Sequence, residues 1–470
     1  MGIPRAGARA VLTFAVVGAL AGCAAVPPLP SPVASGPGSS EPSTASVPAA
    51  SAASVSGFAD HDRISGLLAD LQEIADANGG IRASGTPGYD ASVELLAAEL
   101  ASIGLTVETP EVAFTSFRDT GAALEVDGRT FSGPDEARAL IYSPSGAVSG
   151  PAAILAGSGC DPDDFERVVP GAVAVSLEGG CLRRDQALNA TAAGMAALVV
   201  GYPGLGPGEI FRPTLIDPTG IEIPVISVTG EAVEALDAAA GESVRVTAST
   251  VMEPSTFRNV IAQAGDGPRV VVVGAHLDSV LDGPGINDNG SGVAAVLEVA
   301  HAMADEGVPD GWAVRVALWG GEEFGAIGSR AYAAGLAPGE VAAYLNLDMA
   351  GSVNGSTLVY DDASAAPGSG EITEAYEAVL DALDESSQRT DLGGSSDHVG
   401  FALAGIPTGG LFAGAAATGS ASNPSATPIG PAPDPCYHIG CDDLDNVDVD
   451  RVVLFADATL AVVRDLMEDR

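Results

Sequence analysis

From Asp60 onward, Ile64, Leu67, Leu68, Leu71 and Ile74 recur at spacings of three and four, which gathers them on one face of a helix. After the loop GGIRASGTPGYD the same spacing returns at Val93, Leu96, Leu100 and Ile103, predicting a second helix, and LTVET opens a strand. From about Phe114 to Thr250 the pattern changes to short apolar runs broken by turn residues. Within it, Ala172 to Leu177 and Ala196 to Val200 read as strands flanking a helix from Arg184 to Ala193. From Asn259 onward strands and helices alternate. NVIAQ, VVVVGAH, WAVRVALW and AAYLNLDM are strands; SGVAAVLEVAHAMA, GSRAYAAG and EITEAYEAVLDAL are helical, and VDRVVLFADATLAVVRDLME closes the chain as a long amphipathic helix. This alternation predicts an α/β fold, a mostly parallel mixed sheet sandwiched by helices. Ligands of such sheets sit at the carboxyl ends of the strands.

Composition adds compartment and partners. The chain has 470 residues with 46% hydrophobic content, enough for two or three packed domains. Its 20 basic residues, all Arg, face 62 acidic ones, a formal net charge of -42 that argues against nucleic acid and favours ligands with a positive amino group. The first residues carry Arg5 and Arg9 and then an apolar run too short to span a membrane. That run ends Leu20-Ala21-Gly22-Cys23, which resembles a bacterial lipobox; the alternative is an ordinary secretory signal that happens to contain a Cys. Residues 1–22 are thus expected to be a lipoprotein signal peptide, with a lipid on Cys23. The Pro/Ser/Ala/Gly-rich residues 23–57 form a disordered tether. The protein would be lipid-anchored at the extracytoplasmic face of the cell membrane, or secreted. Cys160, Cys181, Cys436 and Cys441 then remain, an even number that suggests two disulfides in an exported chain. Of three possible connectivities, the sequence-near pairs Cys160–Cys181 and Cys436–Cys441 are favoured.

The residues just past the strands are consistent in kind. His276 and Asp278 follow VVVVGA, Asp288 lies in DGPGINDNGSG, Glu322 and Glu323 follow WAVRVALW, and Asp348 follows AAYLNL. His438 stands between two cysteines in DPCYHIGCDD. Imidazoles and carboxylates gathered at one sheet edge suit zinc. Adjacent glutamates at the end of a buried strand repel each other unless a cation stands between them.

Those stretches carry a resemblance. GAHLDSV, GINDNGSGVA, GGEEFGAIGS, NLDMAGS and SSDHVGFALAGIP resemble the successive signatures of the two-zinc aminopeptidase family, which includes secreted bacterial leucine-type aminopeptidases and is related to glutamate carboxypeptidase and the transferrin receptors. RASGTPG is similar as well, and the segment around Cys160 to Gly204 resembles the protease-associated domain. The resemblance implies an N-terminal part of the peptidase domain at 58–113, an inserted protease-associated domain at 114–251 and a catalytic domain at 252–470. It implies two Zn2+ per chain, with Asp288 bridging them, His276 and Asp348 completing one site, and Glu323 and His438 the other. Asp278 would hold the far nitrogen of His276, and the Asp288–Asn289 peptide would be cis. Glu322 would be the general base and Tyr437 a hydrogen-bond donor to the substrate carbonyl, or merely a packed side chain. His398 competes with His438 as a ligand, but in the family this Asp-His pair lines the pocket, which implies that Asp397 and His398 support the ligands rather than bind metal. Ser395 stands where some relatives have an Arg, which puts one substrate contact in doubt.

The implied activity is removal of N-terminal residues from peptides with a free N-terminus. Alternatives are a carboxypeptidase or dipeptidase of the same fold, a one-zinc glutaminyl cyclase, and a metal-free binding protein. The oligomeric state is open.

Overall fold

The computed structural model describes residues 57–177, 181–201, 210, 213–361, 366–391, 395–415 and 432–468. The expected signal segment, Cys23 and nearly all of the tether lie outside the described residues.

Helix α1 (His61–Ala77) starts where the Asp60 carboxylate accepts hydrogen bonds from the Asp62 and Arg63 amides, and it buries Ile64, Leu67, Leu68 and Leu71. Helix α2 (Pro87–Ser102) is capped by Thr86 and has Pro87 at its first position. The residues PGYD, expected in a loop, therefore form its first turn, because a proline there loses no intrahelical bond.

Strands β1 (Thr106–Glu108), β2 (Glu111–Val126), β3 (Arg129–Ser132), β4 (Ala137–Ala139), β5 (Gly146–Ile154) and β6 (Val173–Leu177) follow, then α3 (Arg183–Ala192), β7 (Ala197–Gly201), β8 (Val225–Val228) and α4 (Gly230–Ala238). Strand β9 (Ser243–Arg258) pairs antiparallel along β2, from Glu111 opposite Arg258 to Glu125 opposite Arg245. This ribbon carries the chain into a second sheet of order β3-β2-β9-β5-β6-β7-β8-β4. Within that sheet β5 to β8 run parallel, as the strand–helix–strand reading anticipates.

The remaining elements are β10 (Val260–Gly265), β11 (Arg269–His276), α5 (Gly292–Glu306), β12 (Trp312–Trp319), α6 (Ile327–Ala334), β13 (Val341–Asp348), β14 (Thr357–Tyr360), α7 (Ser369–Ala382), β15 (Ser387–Thr390), α8 (His398–Leu403), β16 (Thr408–Phe412) and α9 (Val449–Met467). They build a sheet of order β1-β10-β12-β11-β13-β16-β14-β15. Its central strands β12, β11, β13 and β16 are parallel, while β1, β10 and β14 add antiparallel pairings. Along β11, Val271 and Val273 belong to the core shared with α1, α5, α7 and α9, and Val270 and Val272 to the core on the other face, with Phe401 of α8. Alternate side chains of a strand point to opposite faces, so a sheet covered twice needs apolar residues at both phases.

Candidate metal centre

The parallel order β12-β11-β13 brings three chain segments to one edge. His276 is the last residue of β11, Asp348 the last of β13, and Glu322 and Glu323 lie just past β12. Asp288 enters from the turn before α5, where the Asp288–Asn289 peptide is cis. His438 comes from the loop closed by the Cys436–Cys441 disulfide; the other disulfide is Cys160–Cys181, so both bridges join the sequence-near pairs.

The structure places His276, Asp288, Glu323, Asp348 and His438 together. His276 Nε2 lies 3.2 Å from Asp288 Oδ1 and 3.5 Å from Asp348 Oδ1. His438 Nε2 lies 3.1 Å from Asp288 Oδ2 and 3.3 Å from Glu323 Oε2. Asp288 thus turns one carboxylate oxygen to each histidine. His276 Nδ1 donates to the Asp278 carbonyl oxygen, 3.0 Å away, which leaves Nε2 as the lone-pair nitrogen. The expected partner differs in one detail. The Asp278 carboxylate is 3.8 Å from Nδ1 and instead accepts the Glu322 amide at 3.2 Å. It thereby anchors the glutamate turn, while the backbone two residues along orients the imidazole. Glu323 Oε1 and Asp348 Oδ1 are buried and accept no hydrogen bond. Buried carboxylate oxygens of that kind are costly unless a cation meets them, so this donor set fits metal ions.

The electrostatics say the same. Burial pushes Glu323 well above the ordinary carboxylate range, and the neighbouring Asp288 and Glu322 add to it. Glu322 is also raised well above its usual value, first by burial; His276 opposes the shift, and Asp397 and Asp348 reinforce it. Burial alone would lower the His276 imidazole, but Asp288 and Asp348 outweigh it and hold it well above its usual value. Burial would raise Asp288, yet His276 and His438 keep it below the ordinary carboxylate range. Without metal, the raised His276 imidazole takes up a proton and does part of the neutralising that a cation would do.

Tyr437 is half-buried and stacks on the His438 ring, with centroids 3.8 Å apart. Its phenol is held well above its usual value by burial and by the surrounding carboxylates, Asp288 first. Asp397 and His398 are buried; burial pushes Asp397 up to about 7, with His276 opposing the shift and Asp348 reinforcing it. His438 rather than His398 sits against Asp288 and Glu323.

Several supporting residues were not assigned roles from the sequence. Ser396 donates to Asp348 Oδ2 at 2.6 Å and accepts from Asn346 Nδ2 at 2.8 Å. Asp442 accepts the Asn287 and Asp288 amides, and Asp434 accepts from Asn287 Nδ2 and from Asn446. Arg82, fully buried, donates to the carbonyls of Leu277, Pro284 and Gly285, which frame the loop between His276 and Asp288. The signal for Arg82 was its place in RASGTPG, and for Asp434 and Asp442 the acids bracketing the disulfide loop; nothing in the sequence pointed to Ser396 as a partner of Asp348.

Residues 259–463 match the model of Peptidase family M28, and residues 148–236 that of the PA domain. Together with this centre, the matches make the protein a metallo-exopeptidase with an inserted PA domain. The chain belongs to peptidase family M28: it is 41% identical over 414 residues to "Probable lipoprotein aminopeptidase LpqL" of Mycobacterium tuberculosis, covering 82% of this chain and 81% of that one. An "Aminopeptidase" of Pseudomonas aeruginosa is 34% identical over 427 residues, covering 83% and 78%. Among solved structures, a zinc aminopeptidase from Bacillus subtilis aligns with TM-score 0.67 and 25% identity over 88% of this chain and 96% of that one. An aminopeptidase from Aneurinibacillus sp. strain AM-1, 24% identical, shares the fold with TM-score 0.70 over 88% and 95%. Zinc is the metal the family implies.

Proposed function

We propose that this chain is an exported zinc aminopeptidase, lipid-anchored through Cys23, that binds two Zn2+ and removes N-terminal residues from peptides. The observation that carries the reading is Asp288, whose two carboxylate oxygens each face a different histidine. Asp288 would touch both ions, His276 and Asp348 one of them, and Glu323 and His438 the other. Zinc bound there supplies Lewis acidity and a water of lowered pKa.

The protein's own groups do the rest. Glu322 is half-buried, and its amide is fixed on Asp278, so its carboxylate stays beside the ligands without being one. Its raised pKa suits a base that accepts a proton as water adds to the peptide carbonyl and returns it to the leaving amine. Tyr437, kept protonated, can donate to the carbonyl oxygen as charge gathers there. The ring of carboxylates favours an ammonium end of the substrate. Half-buried Arg330, the cation that could draw a C-terminal carboxylate, already interacts with Glu322 and Asp397. The names of the relatives, aminopeptidases in each case cited, support the same polarity.

The test is a pair of variants. Glu322→Gln is expected to keep about two zincs per chain and to lose at least about a hundredfold in kcat on an aminoacyl chromogenic substrate. Glu323→Gln is expected to lose metal. Wild-type turnover in Glu322→Gln would remove the base from this reading, and equal cleavage of amine-blocked peptides would remove the amino-end specificity.

A further inference from the structure

We propose that the sheet carrying the PA domain is a buttress of the metal centre: it holds the two loops that carry Asp288 and the Glu322–Glu323 pair, through Arg138, Tyr142 and Ile216. The inference rests on the proposed hydrolytic site and adds positioning residues that lie outside it.

Contact is made at two places. Arg138, on β4, forms an ion pair with Asp282 at 2.6 Å, with both side chains largely buried. Asp282 lies in the loop between His276 and Asp288. The next residue, Gly283, is pressed so close to the disulfide loop that a methyl group on it would stand 2.4 Å from the Ile439 carbonyl oxygen. Ile439 follows His438. A cation from the second sheet thus pins a loop that touches the supports of three ligands.

The second contact is on the glutamate turn. Phe324, directly after Glu323, is buried against Phe114 and Tyr142, with ring centroids 5.5 Å and 6.1 Å away. A methyl group on Gly325 would stand 3.1 Å from Cγ2 of Ile216. This turn is tight: the Glu322 carbonyl accepts the Gly325 and Ala326 amides at 2.7 and 2.9 Å.

Backbone strain gathers on both sides of this contact. Tyr142 and Ile216 have φ of 71° and 65°, and Ala326 has 56°. A left-handed β-branched residue is a genuine outlier, costing on the order of 1–3 kcal/mol, and persists only where the surroundings over-determine it. Here the surroundings include local pairing, since the Leu215 amide donates to the Ile141 carbonyl and the Ile216 amide to Thr214 Oγ1. The strained segment is therefore tied to the neighbour of Tyr142, and both press on one turn. An insertion that merely hung from the β2–β9 ribbon would need none of this.

Hydrogen exchange of the full-length protein, zinc affinity by chelator competition, and the kcat and KM split test the proposal. Arg138→Met is expected to raise exchange in peptides covering 277–288, to weaken zinc binding about tenfold and to lower kcat more than it raises KM. Asp282→Asn should do the same, the double variant should be no worse than either alone, and Arg138→Lys should restore part of the loss. Ile216→Ala, at the other contact, should raise exchange at 322–326 and leave 277–288 protected; it carries the test if Arg138→Met does not fold. Unchanged zinc affinity, kcat and exchange in Arg138→Met, or unchanged exchange at 322–326 in Ile216→Ala, would overturn the proposal. Exchange and zinc affinity are read without substrate, so a wild-type protein inactive on aminoacyl substrates would refute the proposed function and leave this result standing.

Discussion

Arg82→Met is the substitution whose cost the structure best defines. The guanidinium is fully buried and spends its donors on backbone: Nε to Pro284 at 3.0 Å, Nη1 to Leu277 at 2.6 Å and Nη2 to Gly285 at 2.6 Å. Burial lowers its pKa to about 10, against the pull of Asp442, Asp278 and Asp288. Hydrogen bonds to a charged donor contribute about 1.5–3 kcal/mol each. Methionine removes all three and leaves carbonyls without their donors, but it also relieves the desolvation of a buried cation. Each buried carbonyl left without its donor costs about 1–3 kcal/mol, so three of them, partly offset by that relief, give an expected net loss of about 3–5 kcal/mol. Urea unfolding of the zinc-loaded and zinc-stripped protein measures it, with an unchanged slope showing that the same surface is exposed. Zinc affinity should fall as well, since the clamped carbonyls flank His276 and lead into Asp288. Arg82→Lys should recover less than half, because an ammonium is a point donor and cannot span three carbonyls. A loss below about 1 kcal/mol with unchanged zinc affinity would refute the argument.

Other expectations follow from the same centre. In the metal-free protein the raised His276 stabilises the fold most below its ordinary value of 6.5, and that contribution is lost as pH climbs through the raised one. Glu322 and Glu323, raised by burial, likewise make stability fall as pH rises above the ordinary carboxylate range; Asp288, held low, acts the other way, its contribution being lost only in strong acid. Zinc displaces these protons, so apparent affinity should rise from about pH 5 to 8 with proton release, seen by calorimetry in buffers of different ionisation enthalpy. Ser396→Ala removes the 2.6 Å donor to Asp348 and should weaken zinc binding about tenfold by chelator competition, with little change in thermal midpoint. Replacing Cys436 and Cys441 by Ser frees a loop in which His438 has φ of 62°. About 2 kcal/mol of stability should be lost in urea unfolding, with zinc affinity falling too.

The parallel sheet and its helices were legible in the chain because each rests on local pattern, and the candidate ligands because the stretches that carry them resemble the signatures of a known family. Valine runs such as Val270 to Val273 mark strands buried on both faces, and His276, Glu323 and Asp348 stand where those strands stop. The cysteine pairing followed the same logic of short separation. What periodicity could not carry was direction and reach. That the Asp278 carboxylate holds the Glu322 amide while its carbonyl holds His276, or that Ser396 supports Asp348, depends on which atoms meet once β11, β12 and β13 lie side by side.

The sequence by itself determined which residue types end each strand, and hence the chemistry available at the sheet edge, because strand and helix periods are set within a few residues. Only the tertiary structure decided that Arg82 clamps carbonyls some two hundred positions away, and that Arg138 and Ile216 reach the loops of the centre. Those contacts join segments far apart along the chain. Packing brings them together, and no local pattern records such a meeting.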